Sequence, residues 1–192
     1  EEKKLFEQAV EFFNKKDYDK SKSLYEEILK INPKNSAIYG NLGVIFRIKG
    51  DVATAIKYYI EAIKLDPKNI PIYNNLANAF KEIKNYKMAL QVYADILKIN
   101  PNDFNIYNNI GIVFELIGEN NKAIEAYKQA VRVNPNYAKA VNNIAVVLYK
   151  QKRYKESAQI FEIALQTDPN YFEVYSNKGA AYNKAKDYDK AI

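Results

Sequence analysis

Cysteine and histidine are both missing from this chain of 192 residues. The first absence removes disulfides and thiolate nucleophiles. The two together remove zinc sites of the usual kind and every Ser-His or Cys-His pair. The redox compartment stays open, because a chain without thiols suits either side of a membrane. Glycine is scarce and dispersed, six residues in all, and neither G-x-x-x-x-G-K nor G-x-G-x-x-G occurs. The longest unbroken apolar run, 144–149, is far too short to span a membrane. No apolar segment follows the leading Glu1-Glu2-Lys3-Lys4, so no signal peptide is read and a cytoplasmic placement is favoured. Without an initiating Met, the chain is expected to be a piece of something longer.

A concentration of one charge sign is missing too. The formal net charge is +6, yet no segment cut at the boundaries given below carries more than +2. A phosphate-binding surface gathers Lys and Arg along one stripe; this spread reads as a solvated outer face, and no nucleic-acid partner is expected. The carboxylates that could pair, Glu26-Glu27, Asp17 with Asp19 and Asp187 with Asp189, fall on outward faces or turns. No acid–base pair in a pocket is evident. The expectation is a chain that is not an enzyme and carries no cofactor and no metal.

What is present is a ruler. Asn32-Pro33, Asp66-Pro67, Asn100-Pro101, Asn134-Pro135 and Asp168-Pro169 recur every 34 residues. Proline ends the preceding helix by pushing the residue before it out of the α region. Between two of these marks, apolar residues fall at Tyr73, Leu76, Ala77 and Phe80, the spacing of one helical face. After Asn85 the pattern restarts at Tyr86, Ala89, Leu90, Tyr93, Ile96 and Leu97. Each unit is therefore read as helix, short turn, antiparallel helix and proline turn. Gly50 and Gly118 sit in the short turn, where positive φ is easy for glycine; the third and fifth units are expected to use Asn85 and Lys152-Arg153 there.

The unit resembles the tetratricopeptide repeat. The signature aromatic is Tyr39, Tyr73, Tyr107 and Tyr175, with Leu5 and Val141 as departures. The small residue is Ala9, Gly43, Ala77, Gly111, Ala145 and Gly179, and the second-helix aromatic is Tyr25, Tyr59, Tyr93, Tyr127 and Phe161. The resemblance covers essentially the whole chain. It implies an all-α fold, an α-solenoid in the form of a right-handed superhelix of helix-turn-helix units. The repeats would be 2–35, 36–69, 70–103, 104–137 and 138–171 with a partial sixth at 172–192, cut one turn into its second helix, all in a single array over 1–192. No hairpin can bury its apolar face alone, so neighbours share one core.

In such a stack the first helices line the concave side. Two residues before the small residue stand Asn41, Asn75, Asn109, Asn143 and Asn177; the position before that adds Asn74, Asn108 and Asn142. Asparagine is roughly 0.5–0.7 kcal/mol worse than Ala in a helix, a cost that something has to offset. A row of amides, each with an acceptor and two donors, can pair with the backbone of an extended peptide without reading its side chains. This looks like the asparagine-lined groove of some family members, among them the repeat region of the O-linked N-acetylglucosamine transferases. Asparagines bridging adjacent helices account for the row equally well, and both readings stand. Val44, Asn78, Ile112, Val146 and Ala180 would form a floor, with Arg47, Lys81, Glu115, Tyr149, Asn183, Lys139 and Lys150 around it. Of the clamp by which other members hold a terminal carboxylate, Asn78, Asn109 and Lys139 match. Asn74 and Asn143 stand where two cations would be, so that capture is weakened.

The expected partner is a protein or peptide segment, gripped by an interaction scaffold that has no membrane span. The alternatives are an assembly module that self-associates through its repeat ends or convex face, and a targeting region of a larger enzyme.

Overall fold

The computed structural model describes residues 1–190, with side chains through Lys186. The expectations for Asp187, Asp189 and Ala191-Ile192 fall outside what is described. Among the described residues there are eleven helices and no strand. The chain divides into two compact units, Glu1–Ile99 and Asn100–Ile192. Unit 1 holds α1 (Glu2–Asn14), α2 (Tyr18–Ile31), α3 (Ser36–Ile48), α4 (Val52–Leu65), α5 (Ile70–Glu82) and α6 (Tyr86–Ile99). Unit 2 holds α7 (Phe104–Leu116), α8 (Asn120–Val133), α9 (Ala138–Lys150), α10 (Tyr154–Thr167) and α11 (Phe172–Lys190).

Two local devices repeat with the period. Before proline, the helices end in extended backbone: Asn32, Asp66, Asn134 and Asp168 have φ between −132° and −138°, the geometry that the proline ring imposes on its predecessor. Inside each hairpin, one residue adopts positive φ: Lys16, Gly50, Lys84, Gly118 and Lys152. The next N–H then reaches back to a carbonyl in the last turn, as from Asp17 to Phe12, Asp51 to Phe46 and Asn85 to Phe80. That is the Schellman closure. The expectation for Asn85 was one residue off. Lys84 takes the left-handed conformation at φ 57°, while Asn85 uses its side chain to accept from the Met88 N–H at the start of α6.

The signature aromatics have a definite duty. The Tyr73, Tyr107 and Tyr175 hydroxyls each donate to the carbonyl of the proline six residues earlier, at 3.2 Å. They tie the first helix to the turn that precedes it. The second-helix aromatics fill the core: Tyr59, Tyr93 and Tyr127 are fully buried and Phe161 nearly so. In unit 1, Ala9, Tyr25, Ile28, Ile38, Leu42 and Ile45 pack together. In unit 2, one cluster joins Tyr127 and Ala130 to Ile144 and Val147, and a second joins Val141 and Phe161 to Val174 and Ala181. Each cluster draws on successive hairpins, as expected of units that cannot bury their faces alone.

The sixth copy differs. Helix α11 runs unbroken through the point where a hairpin turn would fall, 34 residues after Lys152. Among the described residues, Gly179 on this helix has no neighbour within 4 Å of where its Cβ would be.

Candidate functional site: a bridged row of amides and charges

The eight asparagines and their neighbours do not share one environment. In unit 1, Asn41 on α3 and Asn74, Asn75 and Asn78 on α5 are half-buried. In unit 2, Asn109 and Asn143 are half-buried, whereas Asn177 and Lys139 are exposed. Asn108 and Asn142 are 1% and 8% exposed, so they lie beneath the row rather than on it. Adjacent residues sit about 100° apart, and at these two positions the residue before the row turns toward the core, whereas Asn74 stays half-buried.

Asn143 donates its amide N–H to Asn108 Oδ1 at 2.9 Å, linking α9 to α7. The bridging reading of the row is what the structure displays at this rung. The bond satisfies a buried acceptor and fixes the Asn143 side chain, leaving its carbonyl and one N–H uncommitted. Asn142 is placed like Asn108, one repeat on, but its Oδ1 is buried without a partner among the described residues. Asn177, its counterpart across α11, faces solvent instead.

The same offset governs the charges. Glu115 on α7 accepts from Lys150 Nζ on α9 at 2.8 Å and from the Tyr127 hydroxyl on α8 at 2.5 Å. Burial, reinforced by the Glu115 carboxylate, pushes the Tyr127 phenol far above its ordinary range. In unit 1, Arg47 Nε on α3 donates to Glu82 Oε2 on α5 at 3.0 Å. These three bridges all span 35 residues, one repeat plus one. Composition and single-helix periodicity did not reveal them; complementary side chains searched at i and i+35 would have.

Buried phenols complete the setting. Tyr93 and Tyr59 each bury a hydroxyl that lacks a hydrogen-bond partner of good geometry. Burial alone raises Tyr93 to about 12. Burial also raises Tyr59, and the charge of Arg47 beside it works the other way. Lys81 on α5 is half-buried, and its ammonium is held below the usual lysine range by burial and then by the charge of Arg47.

Two cavities lie among residues outside the row. One, of about 470 Å³, is lined by Tyr107, Ile110 and Phe114 of α7 with Ala126 of α8. The other, of about 360 Å³, is lined by Ile124 of α8, Ile144 and Leu148 of α9, and Ile160 of α10. No group of three or more His, Cys, Asp or Glu among the described residues could hold a metal ion. No helix among them is long and apolar enough to cross a membrane.

Repeated helical hairpins that share a core within each unit define an α-solenoid of helix-turn-helix repeats. Tetratricopeptide repeat models match residues 5–35 and 70–103, 24–57, and 109–172, and a TPR repeat model matches 45–84. Together these matches take in most of the chain, and it belongs to the tetratricopeptide repeat family, a family of protein–protein interaction scaffolds that are generally non-catalytic.

Among solved structures, a tetratricopeptide repeat protein from Parabacteroides merdae is similar at TM-score 0.81 and 23% identity, over 99% of this chain and 75% of its own. MamA is similar at 0.76 and 23%, over 90% and 94%. YrrB, described as a TPR protein with an unusual peptide-binding site, is similar at 0.70 and 15%, over 91% and 90%. At these identities the likeness is one of fold. No curated protein matches the chain in sequence.

Proposed function

We propose that the chain binds an extended segment of a partner protein along the amide-bearing faces of its first helices. The observation that carries this is the half-buried state of Asn41 and Asn75 in unit 1 and of Asn109 and Asn143 in unit 2. A solvated asparagine adapts to any neighbour; a half-buried one fixed by a bridge, as Asn143 is to Asn108, presents its remaining donor and acceptor in a set direction. Within each unit, preorganised amides on successive first helices suit a peptide backbone, whose N–H and C=O groups alternate. The similarly folded YrrB, described as having an unusual peptide-binding site, is in keeping with the reading. Asn108 acts as a support in it, Asn142 lies buried beneath it without a bridge among the described residues, and Asn78 and Lys139 flank it.

The test uses Asn75→Ala with Asn109→Ala, which remove row amides without orphaning a buried acceptor. Recovery of partners from lysate should fall at least tenfold while helicity is unchanged. Undiminished recovery would end the proposal. A second reading, self-association, draws on the apolar face of α11, where Phe172 is 75% exposed and Tyr175 52%. It calls for a mass in sedimentation that rises with concentration and falls back in Phe172→Ser.

A further inference from the structure

Unit 1 and unit 2 answer the same repeat position with opposite chemistry. In unit 2 that position is Glu115 on α7, and its two oxygens are consumed by Tyr127 and Lys150. In unit 1 it is Arg47 on α3 and Lys81 on α5. Arg47 engages Glu82 through Nε, which brings the guanidinium to α5 at the residue that follows Lys81 in sequence, where its charge acts on the Lys81 ammonium; among the described residues its two terminal nitrogens have no acceptor of good geometry, the Tyr59 hydroxyl being the neighbour on that side. Lys81 forms no ion pair or hydrogen bond among the described residues, although its side chain is half-buried. Counting Arg47, Lys81 and Glu82, the cluster keeps one surplus positive charge, and the neutral Tyr59 hydroxyl of α4 lies by Arg47.

A half-buried ammonium next to a guanidinium is an arrangement that folding alone does not favour, since burial and like charge both work against it. A lysine with a flexible stem could turn to water and escape both. An anion placed between the two cations would relieve both costs at once and would gain charge-assisted hydrogen bonds from each. Val44 lies between Asn41 and Arg47, and Asn78 between Asn75 and Lys81, at steps of three residues; each cation therefore stands nearly two turns along its helix from the row and about 120° round it, at the edge of the face that carries the amides.

We infer that Arg47 and Lys81 form a subsite for an acidic side chain, Asp or Glu, of the extended segment that lies along α3 and α5. The inference rests on the peptide-binding reading given above and adds a specificity to it: the amides hold backbone without preference, and the cation pair selects a carboxylate at one position of the segment. Glu82 serves as a positioning residue that aims Arg47. The corresponding place in unit 2, where Glu115 is already neutralised, has no such preference.

The probe is a positional-scanning set of decapeptides. Each pool has one position fixed as Glu, Gln, phosphoserine or Leu and the rest randomised, and each is captured on the full chain at moderate ionic strength. At one register the Glu pool should be retained roughly tenfold over the Gln pool, the ratio expected of one charge-assisted hydrogen bond. Lys81→Gln should erase that preference and keep the retention of Gln pools, and Lys81→Arg should restore it. Glu and Gln pools held equally by the wild-type chain would overturn the inference while leaving backbone binding intact. So would a Glu preference that survives Lys81→Gln, or retention of phosphoserine pools with Glu at the Gln level. Failure to retain any pool would overturn the peptide-binding reading itself and this inference with it.

Discussion

A methyl group added at Gly111 probes how the hairpins close. The new Cβ would stand 2.4 Å from Cε1, 2.6 Å from Cδ1 and 2.8 Å from Cζ of Tyr127, distances that real contacts do not show. Tyr127 has no exposed surface, and its hydroxyl is tied to Glu115 at 2.5 Å, so the ring cannot slide without giving up that bond. Overpacking of this kind costs about 1–3 kcal/mol. A hydrogen bond to a carboxylate contributes about 1.5–3 kcal/mol, and the better helix propensity of Ala returns about 1 kcal/mol. The net expectation for Gly111→Ala is a loss on the order of 3 kcal/mol, read as a lower urea midpoint in far-UV circular dichroism. Gly179→Ala, with nothing within 4 Å of the added atom, should instead be neutral or raise the midpoint slightly.

The repeats supply their own comparison. Thirty-four residues to either side, the position holds Ala77 and Ala145. The aromatics that answer them are Tyr93, whose hydroxyl has no partner, and Phe161, which has none to place. A Cβ is thus compatible with the hairpin where the ring leaves room for it; beside Gly43 and Gly111 the Tyr59 and Tyr127 rings occupy that space, and only at Gly111 is the ring also held by its hydroxyl. If Gly111→Ala unfolds at the wild-type urea concentration or above it, the anchoring argument is wrong.

Tyr127→Phe should cost about 1.5–3 kcal/mol, whereas Tyr93→Phe removes an unpaired buried hydroxyl and should be neutral or stabilising by about 1 kcal/mol; paired thermal melts decide. Because burial lifts Tyr93 to about 12, the folded state holds that proton more tightly than the unfolded one. Its contribution is complete below pH 10 and is lost as pH rises from about 10 to 12; other buried tyrosines are raised as well, so Tyr93→Phe should make the fall in stability across that window shallower in pH-dependent urea titrations without abolishing it. Asn143→Ala strands the buried Asn108 acceptor and should cost about 1–3 kcal/mol, while Asn109→Ala should stay within about 0.5 kcal/mol; chemical denaturation separates them. Lys84→Gly relieves a left-handed lysine at φ 57° and should raise the melting temperature by a few degrees, the measure of up to about 1 kcal/mol.

The hairpin boundaries were legible in the sequence because each rests on a local rule. Proline dictates the extended residue before it, apolar spacing dictates the buried face, and one residue per hairpin must turn left-handed. Even there, the choice between neighbours Lys84 and Asn85 was made by competition: Asn85 is worth more as a helix cap, which hands the strained conformation to the lysine. The site was legible only as a row of positions on helices. Which amides reach solvent and which are buried depends on how neighbouring hairpins pack. So do the bridges from Asn108 to Asn143, Glu115 to Lys150 and Arg47 to Glu82. A helix fixes the relation of residues three and four apart, but the relation of residues 35 apart exists only once two repeats have packed with a stagger, and that stagger is set by the volumes filling their shared core.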